Sequence, residues 1–461
     1  MPAPAGPPRS KRRGGVPLQQ AGRGRQIEIV CSTWPDSLSS EHGTASRARP
    51  RARFLSHRSP RSESPLFSHR VPADLRQNAL AVAVGRARTS GRPLLDLTVT
   101  NPTTVGLAYP PDVLAPLSNT AAARYEPVPL GLPAARAAVA DDFARRGLDV
   151  TPSRIVLTAS TSEAYAVLFK LFCDAGDEVL VPEPSYPLFA HLTALEAVRA
   201  VPYRLVHDGL WSIDRVSIEA AWSTRTRVAL VVSPNNPTGS MLRAGDLPWL
   251  LRECAARDVA IVSDEVFADY PLAPADDAVG SVLGHGRGPG PRADGALRIA
   301  LGGLSKSAGL PQVKVGWMAL DGPAMRVDQA LARLEVVCDT YLSVSTPAQV
   351  ALPSLIESGA AVRRTIAARI EVNHDVVRRT VDRHPHCTAL RIEGGWSAVV
   401  RVPASMGEDA LVQALVEEEG VLVHPGYFFD FAHEAFVVVS LLTPTDVLAE
   451  GLDRALRRTR A

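Results

Sequence analysis

Lysine is scarce in this sequence, and the few positions that keep it are informative. Lys11, Lys170, Lys306 and Lys314 are the only lysines among 50 basic residues, and the others are arginines. Arginine stays charged at any accessible pH, so it cannot replace an amine that must lose a proton and attack a carbonyl carbon. Two lysines lie close together in LGGLSKSAGLPQVKVGW (residues 301–317), directly after an apolar run. This pattern favours a chemical role for one of them, although arginine-rich codon usage with Lys306 in a solvated loop explains it too.

Cysteine is scarce as well, and long apolar runs are missing. The five cysteines stand singly, without a CxxC pair, which predicts reduced thiols in a cytoplasmic protein. No apolar run approaches the roughly 18 to 20 residues that a membrane-spanning helix requires, so we expect no membrane partner. HPHC (residues 384–387) combines three side chains of metal-ligand type, but such short spacing is more typical of a polar turn. We therefore expect no bound metal.

Charge of one sign accumulates only at the start of the chain. Residues 1–63 hold 12 basic and four acidic residues, whereas the whole chain has a net charge of +2. The rest of the chain is therefore mildly acidic, which argues against a nucleic-acid partner. Residues 1–66 are rich in Arg, Pro, Ser and Gly and show no apolar period, so we expect a disordered tail. An organelle transit peptide, or a start codon assigned too far upstream, fits the same composition.

The remainder alternates between apolar runs of strand length and helical stretches. The runs that are apolar on both faces are RIVLTAS, DEVLVPEP, RVALVVSPNNPTG, DVAIVSDEVF, LRIALGGLSK and VKVGWMAL. Strands of this kind, separated by helices such as SEAYAVLFKLF, predict a mainly parallel sheet covered by helices on both sides. The last two runs lie too close together for a helical crossover, so we expect one of them to run antiparallel.

The length of 461 residues suggests two or three domains. We expect residues 67–115 to contribute to a small domain and to the site. Residues 116–345 are expected to form a large domain that binds a cofactor, and residues 346–461 a small domain of α+β type.

Polar side chains directly follow the predicted strands of the large domain. Ser160 and Glu163 form a capping-box pattern, which opens a helix whose free N–H groups suit a phosphate. Asn235 and Asn236 stand in a turn bounded by prolines, and we expect both to point outward. Asp264 ends a doubly buried strand and needs a cationic partner. Ligands gather at the carboxyl ends of the strands in such sheets, so these residues belong to one predicted site.

Five motifs in order carry a resemblance to a known family. With YEPVPLGLP, PEPSYPLF, SPNNPTG, SDEVFADY and SKSAGLPQVKVGW, the chain resembles the class I and II aminotransferases, pyridoxal phosphate-dependent enzymes of fold type I, from about residue 71 onward. The resemblance implies an α/β fold with a mainly parallel, seven-stranded type of sheet and a smaller α+β C-terminal domain. It also implies pyridoxal 5'-phosphate as cofactor, an amino donor and a 2-oxo acid as substrates, and a homodimer with shared active sites.

The resemblance implies a role for each matching residue. Lys306 would bind the cofactor covalently and shuttle a proton, while Asp264 would keep the ring nitrogen protonated. Asn236 would hydrogen-bond the phenolic oxygen of the ring, and Tyr186 would stack on the ring face. Hydroxyl and cationic groups would surround the phosphate, from Ser160, Thr161, Ser162, Ser305 and Lys314. Tyr125 would reach the phosphate of the neighbouring subunit.

Three positions depart from the family's pattern. Phe267 replaces a common tyrosine, and Gly303 replaces a common phosphate-binding serine. Val438 stands where the family has the arginine that binds the substrate's α-carboxylate, and valine cannot make that bidentate contact. Either other groups bind the carboxylate, or the donor lacks one. The candidate substrate-binding residues are Asn101, Asn236, Arg391, His424 and Trp396, the last of which equally suits core packing.

Transamination from an amino acid or amine to a 2-oxo acid is the function that these motifs favour. A lyase or decarboxylase that uses the same cofactor is one alternative. A regulatory or binding module of the same fold, without turnover, is another.

Overall fold

The computed structural model describes residues 66–284, 295–433 and 435–460. The predicted disordered tail therefore lies outside the described residues, apart from its last residue. The helices are α1 (Ala79–Thr89), α2 (Pro133–Arg145), α3 (Thr161–Phe172), α4 (Phe189–Leu195), α5 (Arg215–Ala221), α6 (Asp246–Arg257), α7 (Leu304–Ser307), α8 (Ala324–Tyr341), α9 (Thr346–Asp382), α10 (Glu408–Ala414) and α11 (Thr445–Arg458). The strands are β1 (Leu95–Asp96), β2 (Ile155–Thr158), β3 (Glu178–Glu183), β4 (Arg199–Asp208), β5 (Leu210–Ile213), β6 (Thr226–Val232), β7 (Ala260–Asp264), β8 (Arg298–Gly303), β9 (Gly316–Asp321), β10 (Thr388–Ala389), β11 (Ser397–Arg401), β12 (Val421–Leu422), β13 (His424–Pro425) and β14 (Phe436–Ser440).

A large, mainly parallel sheet forms the centre of the molecule, in the strand order β2-β9-β8-β7-β6-β3-β4-β5. β9 runs antiparallel to both of its neighbours, β2 and β8. This confirms that one of the two closely spaced runs is antiparallel. At the other edge β5 pairs antiparallel with β4, and this hairpin strand extends the sheet to eight strands.

Helices cover both faces of the large sheet, as the doubly apolar strands predict. β7 and β8 are buried along their whole length. Alternate residues of β7 face opposite sides: Ile261 packs in the layer with α2, α6 and the start of α9, and Val262 packs in the layer with α3, α4 and α8. The polar residues that end these strands therefore emerge at a single edge, between the two helical layers.

A smaller antiparallel sheet, in the order β10-β11-β14-β13, forms a second core near the C-terminus. The N-terminal segment is joined to it, because β1 pairs parallel with β12 and the Ser440 N–H donates to the Leu97 carbonyl at 2.7 Å. Helix α9 links the two cores: Leu352 packs against the large sheet and Ile366 against the small one. Within the described ranges, no helix combines the length and apolarity that crossing a membrane requires.

Candidate active site

Lys306 lies in the short helix α7, which begins directly after β8. Its backbone is held in place by a neighbouring side chain: the Tyr270 hydroxyl donates to the Lys306 carbonyl oxygen at 2.6 Å. Arg363 fixes the next residue in the same way, since its Nε donates to the Ser307 carbonyl at 2.9 Å. The lysine therefore has a rigid base at the carboxyl edge of the large sheet.

The amine of Lys306 lies close to two aromatic rings. Its Nζ lies 4.8 Å from the ring centre of Trp396 and 5.6 Å from that of Phe267. Burial lowers the pKa of the Lys306 amine to about 8, and the negative charge of Asp264 acts in the opposite direction. A lowered pKa makes the neutral, nucleophilic amine accessible near physiological pH.

Asp264 ends β7, next to β8 in the sheet, and its carboxyl group is buried. The Tyr165 hydroxyl donates to Oδ2 at 2.8 Å, and the Val266 N–H donates to Oδ1 at 3.1 Å. Burial raises the pKa of Asp264, while the bonds from Tyr165 and Val266 and the charge of Lys306 lower it. Lys306 is thus the cation whose charge acts on this carboxyl, as the sequence leads us to expect.

The predicted phosphate-binding helix end is α3. Ser160 is its N-cap, and the Ser160 Oγ accepts from the Glu163 N–H at 3.1 Å. The reciprocal bond of Glu163 goes to the Ala159 N–H at 2.5 Å, one residue earlier than in a standard capping box. Gly316 passes close to this helix end, since a Cβ on it would lie 3.1 Å from the Thr161 nitrogen. The first turn of α3 is therefore left open by a residue without a side chain.

The other predicted phosphate ligands lie on the segment between β8 and β9. Ser305 is half-buried at the start of α7, and Lys314 is exposed. Lys314 has a left-handed backbone (φ 60°) and precedes β9, whose first residue borders the end of α3. This places Lys314 two residues from Gly316.

The two asparagines of the SPNNPTG turn behave differently. Asn235 is buried, accepts a bond from the Ser185 hydroxyl at 2.6 Å and donates to the Thr238 hydroxyl at 2.8 Å. The prediction that both side chains point outward is therefore wrong for Asn235, because the turn needs this amide to satisfy its own buried polar groups. The Oδ1 of Asn236 accepts from the Ser397 hydroxyl at 3.1 Å, which leaves its Nδ2 as a donor toward a ligand.

Trp396 directly precedes β11 of the small sheet. The segment that leads to it is anchored to the large domain by an ion pair. Glu393 accepts a bond from Arg243 at 2.8 Å, and both side chains are buried. Gly394 packs so tightly that a Cβ would lie 2.8 Å from the Tyr270 carbonyl oxygen. These contacts hold the ring of Trp396, which is 2% exposed, against the amine of Lys306.

Tyr186 lies beside Asp264 after β3. Its ring makes an edge contact with Phe189 at 5.8 Å, and burial, reinforced by the charge of Asp264, raises the pKa of Tyr186. The adjacent Ser185 N–H donates to the Phe429 carbonyl at 3.0 Å. This bond joins the strand end of the large sheet to the C-terminal domain.

Three of the candidate residues are exposed in the single chain. The Asn101 Oδ1 accepts from the Thr103 N–H at 3.0 Å in a local turn, and Asn101 is exposed. Arg391 is also exposed, and its guanidinium donates to the Ala273 carbonyl at 3.2 Å. Tyr125 is 66% exposed on the surface. Asn101 and Arg391 each bond to a group other than Lys306.

Val438 and His424 share one face of the small sheet. They are cross-strand partners between β13 and β14, and Val438 also faces Val399 of β11. Ser397, two residues before Val399, lies on the same face and reaches Asn236. Burial lowers the pKa of His424 to about 4, and its Nδ1 has no hydrogen-bond partner among the described residues. One imidazole nitrogen therefore has no hydrogen-bond partner among the described residues, and no side chain is cationic in the group formed by Val438, His424, Val399 and Ser397.

The HPHC segment stabilises the end of the chain. His384 hydrogen-bonds Asp453 at 3.0 Å, and His386 contacts the Thr459 hydroxyl at 3.1 Å. In the ranges that the structure covers, no group of three or more His, Cys, Asp or Glu side chains is placed to hold a metal ion.

Sequence reasoning missed three residues that shape the site: Tyr165, Tyr270 and Ser397. Tyr165 lies one turn after Thr161 on the same face of α3, a spacing that could have indicated it. The other two act from segments distant in sequence, through hydroxyl contacts to Lys306 and Asn236. No local sequence pattern predicts such contacts.

Comparison with known proteins identifies the class to which this arrangement belongs. The family model described as "Aminotransferase class I and II" matches residues 105–454. Because the match spans well over half of the chain, the protein belongs to this family. The chain has the fold of the pyridoxal phosphate-dependent aminotransferases, as its motifs predict.

Individual relatives and solved structures support the same family assignment. Glutamate-pyruvate aminotransferase AlaA of Escherichia coli (strain K12) is 29% identical over 273 residues, or 59% of this chain and 65% of that protein. Nicotianamine aminotransferase A of Hordeum vulgare is 26% identical over 338 residues, 70% of either chain. A mutant Thermus thermophilus aspartate aminotransferase superposes with a TM-score of 0.71 and 25% identity, covering 85% of this chain and 99% of that one. The predicted fold class is thereby confirmed, while the aligned part spans slightly less than two thirds of the AlaA sequence.

Proposed function

We propose that the protein is a pyridoxal 5'-phosphate-dependent aminotransferase that moves an amino group from an amino acid or amine to a 2-oxo acid. The observation that carries this proposal is that β7 and β8, which are adjacent, bring the Asp264 carboxyl and the Lys306 amine to one edge of the sheet, where the charge of each shifts the pKa of the other. Membership of the class I and II family supports the same activity. We further propose the division into a large domain, 116–345, and a small domain, 346–461.

The residues at the site fit this cofactor. Its aldehyde requires an amine that loses its proton readily, and its ring nitrogen requires an acid, which Lys306 and Asp264 provide. Its phosphate requires N–H donors, and the first turn of α3 provides them beside Gly316. A Cβ on Gly316 would fill this space, 3.0 Å from the carbonyl carbon of Ser160. Bound there, the cofactor supplies an electron sink that stabilises a negative charge on the substrate's α-carbon.

Each residue of the chain then has a defined task. The neutral Lys306 amine accepts and returns the proton of the substrate's α-carbon. Trp396 and Phe267 exclude water from this amine. Asn236, whose Oδ1 is fixed by Ser397, would donate from its Nδ2 to the phenolic oxygen of the cofactor. The Phe267 ring cannot donate a second hydrogen bond to that oxygen.

The substrate's carboxylate needs a partner other than Val438. Asn101 bonds to Thr103 and Arg391 to Ala273, which favours Asn236 and His424 among the polar candidates. The imidazole of His424 is neutral at pH 7, and a neutral imidazole offers one N–H donor. This provides weaker selection for a carboxylate than arginine does. We therefore propose that simple amines compete with α-amino acids as donors.

We also propose that the enzyme is a homodimer with shared active sites, located in the cytoplasm. Tyr125 is 66% exposed in the single chain, which suits a residue that reaches a neighbouring subunit. The described cysteines, Cys173, Cys254, Cys338 and Cys387, are all free thiols, as expected for a reducing compartment. Sedimentation velocity tests the dimer, and a purely monomeric holoenzyme would contradict it.

The proposed activity is tested by following the absorption of the bound cofactor. Amino acids and simple amines are added one at a time, followed by a 2-oxo acid. We expect a productive donor to convert the cofactor to its amine form and the 2-oxo acid to restore the original spectrum. Release of pyruvate with ammonia, or of carbon dioxide with an amine, would instead identify a lyase or a decarboxylase. Lys306→Arg should abolish the conversion, whereas the surface change Lys170→Arg should preserve it.

A further inference from the structure

We propose that Tyr165 is a positioning residue for Asp264: its hydroxyl orients the carboxylate and keeps it ionised, so that it can pair with the ring nitrogen of the cofactor. The inference rests on the proposed function, because it assigns a purpose to Asp264 in that site. The Tyr165 hydroxyl and the Asp264 Oδ2 are 2.8 Å apart, and both side chains are buried.

The ring of Tyr165 is itself locked in place. It makes an edge contact with Phe189 at 5.5 Å and a tilted contact with Phe169 at 6.1 Å. The helix that carries it begins at Thr161, so one element joins the phosphate-binding end to the carboxylate. A change in the position of α3 would therefore move both groups together.

Tyr165 can donate to Asp264 at every accessible pH. Burial, with the negative charge of Asp264, raises the pKa of Tyr165 well above its ordinary value. The ionisable side chains that interact with Asp264 are Tyr165 from α3, Tyr186 after β3 and Lys306 from α7. Among these, Tyr165 is the one whose hydrogen bond offsets the burial of the carboxylate most strongly.

The two oxygens of Asp264 have separate protein donors. Oδ1 accepts from the Val266 N–H and Oδ2 from Tyr165. Since a carboxylate oxygen has two lone-pair sites, each donor fixes an orientation and leaves one site on that oxygen for the ring nitrogen. Without Tyr165, Oδ2 would lose its protein donor, and the protonated form of Asp264 would be favoured.

The test compares Tyr165→Phe with a matched control, Tyr203→Phe. Tyr203 is equally buried and donates to the Leu230 carbonyl at 2.7 Å, so its loss removes a similar hydrogen bond from the same sheet without touching Asp264. Two ligands are titrated into the cofactor-free protein: pyridoxal 5'-phosphate, and the analogue in which a carbon replaces the ring nitrogen.

We expect Tyr165→Phe to weaken pyridoxal 5'-phosphate binding roughly 10- to 100-fold, the typical effect of removing a donor from a charged acceptor. The affinity for the carbon analogue should change less than threefold, because that ligand has no ring nitrogen to pair with Asp264. Tyr203→Phe should alter neither affinity. In turnover, Tyr165→Phe should lower kcat more than it changes KM.

An equal loss of affinity for both ligands would show a merely structural role and overturn the proposal, as would no loss at all. If Tyr165→Phe does not fold, the unmodified protein supplies the test: its preference for pyridoxal 5'-phosphate over the analogue should stay constant from pH 8 to pH 6. A tenfold fall in that preference would mean that Asp264 is not kept ionised. Failure of the unmodified protein to bind the cofactor or transfer amino groups would instead refute the proposed function.

Discussion

Replacing Lys306 by methionine should stabilise the cofactor-free protein. Burial lowers the pKa of the Lys306 amine from its ordinary 10.5 to about 8. Below pH 8 the amine is protonated in both the folded and the unfolded chain, and the folded state bears the full cost of the buried charge. Net of the attraction to Asp264, which already acts on this pKa, the cost is about 3 kcal/mol. Between pH 8 and pH 10.5 the folded chain loses this proton first, so the cost declines. Above pH 10.5 it disappears.

The assay is urea denaturation of the cofactor-free protein at a fixed concentration, at pH 7 and at pH 10.5. Lys306→Met should raise the free energy of unfolding by about 3 kcal/mol at pH 7 and by less than 1 kcal/mol at the higher pH. Lys170→Met is the control: Lys170 pairs with Glu196 at the surface at 2.6 Å, and such a pair contributes roughly 0–1 kcal/mol. A gain that persists unchanged at pH 10.5 would refute the electrostatic reasoning, because packing alone would then explain it.

Three further changes test the support around the site. Gly394→Ala places a Cβ 2.8 Å from the Tyr270 carbonyl oxygen, and we expect a loss of about 1–3 kcal/mol in urea denaturation; unchanged stability would mean that the segment can move away. Arg243→Met leaves Glu393 buried without its cation and should cost about 3–5 kcal/mol, measured in the same way, with a loss below 1 kcal/mol counting against a buried pair. Ser397→Ala removes the hydrogen bond that orients the Asn236 amide and should lower kcat/KM roughly 3- to 10-fold with unchanged stability. Full activity would show that the Asn236 amide does not need this bond.

The fold of this chain was largely predictable because its strands carry a strong local signal. Runs such as DVAIVSDEVF are apolar on both faces, which only a covered parallel sheet satisfies, and they became fully buried strands. The antiparallel direction of β9 followed from the short distance between two runs. The edge strand β5 was not predicted, because a strand of four residues is too short for its alternation of buried and half-buried residues to stand out in the sequence.

The site was predictable only in part, for a physical reason. Lys306 and Asp264 directly follow strands, so topology alone brings them to one edge. The orientation of Asn235 was predicted incorrectly, because the buried polar groups that it satisfies come from Ser185 and Thr238. The contact between Tyr165 and Asp264 joins residues 99 positions apart. Such long-range hydrogen bonds depend on packing that no local pattern encodes. The roles of the individual cofactor contacts and the domain limits stay predictions.

The most direct test of the central claim is to locate the cofactor on the chain. The protein is loaded with pyridoxal 5'-phosphate, the covalent bond is fixed by reduction with borohydride, and the labelled peptide is identified by mass spectrometry. We expect a single modified lysine, Lys306, and loss of the label when excess amino donor is added before reduction. Labelling of Lys314 or Lys170 instead, or no labelling at all, would contradict it.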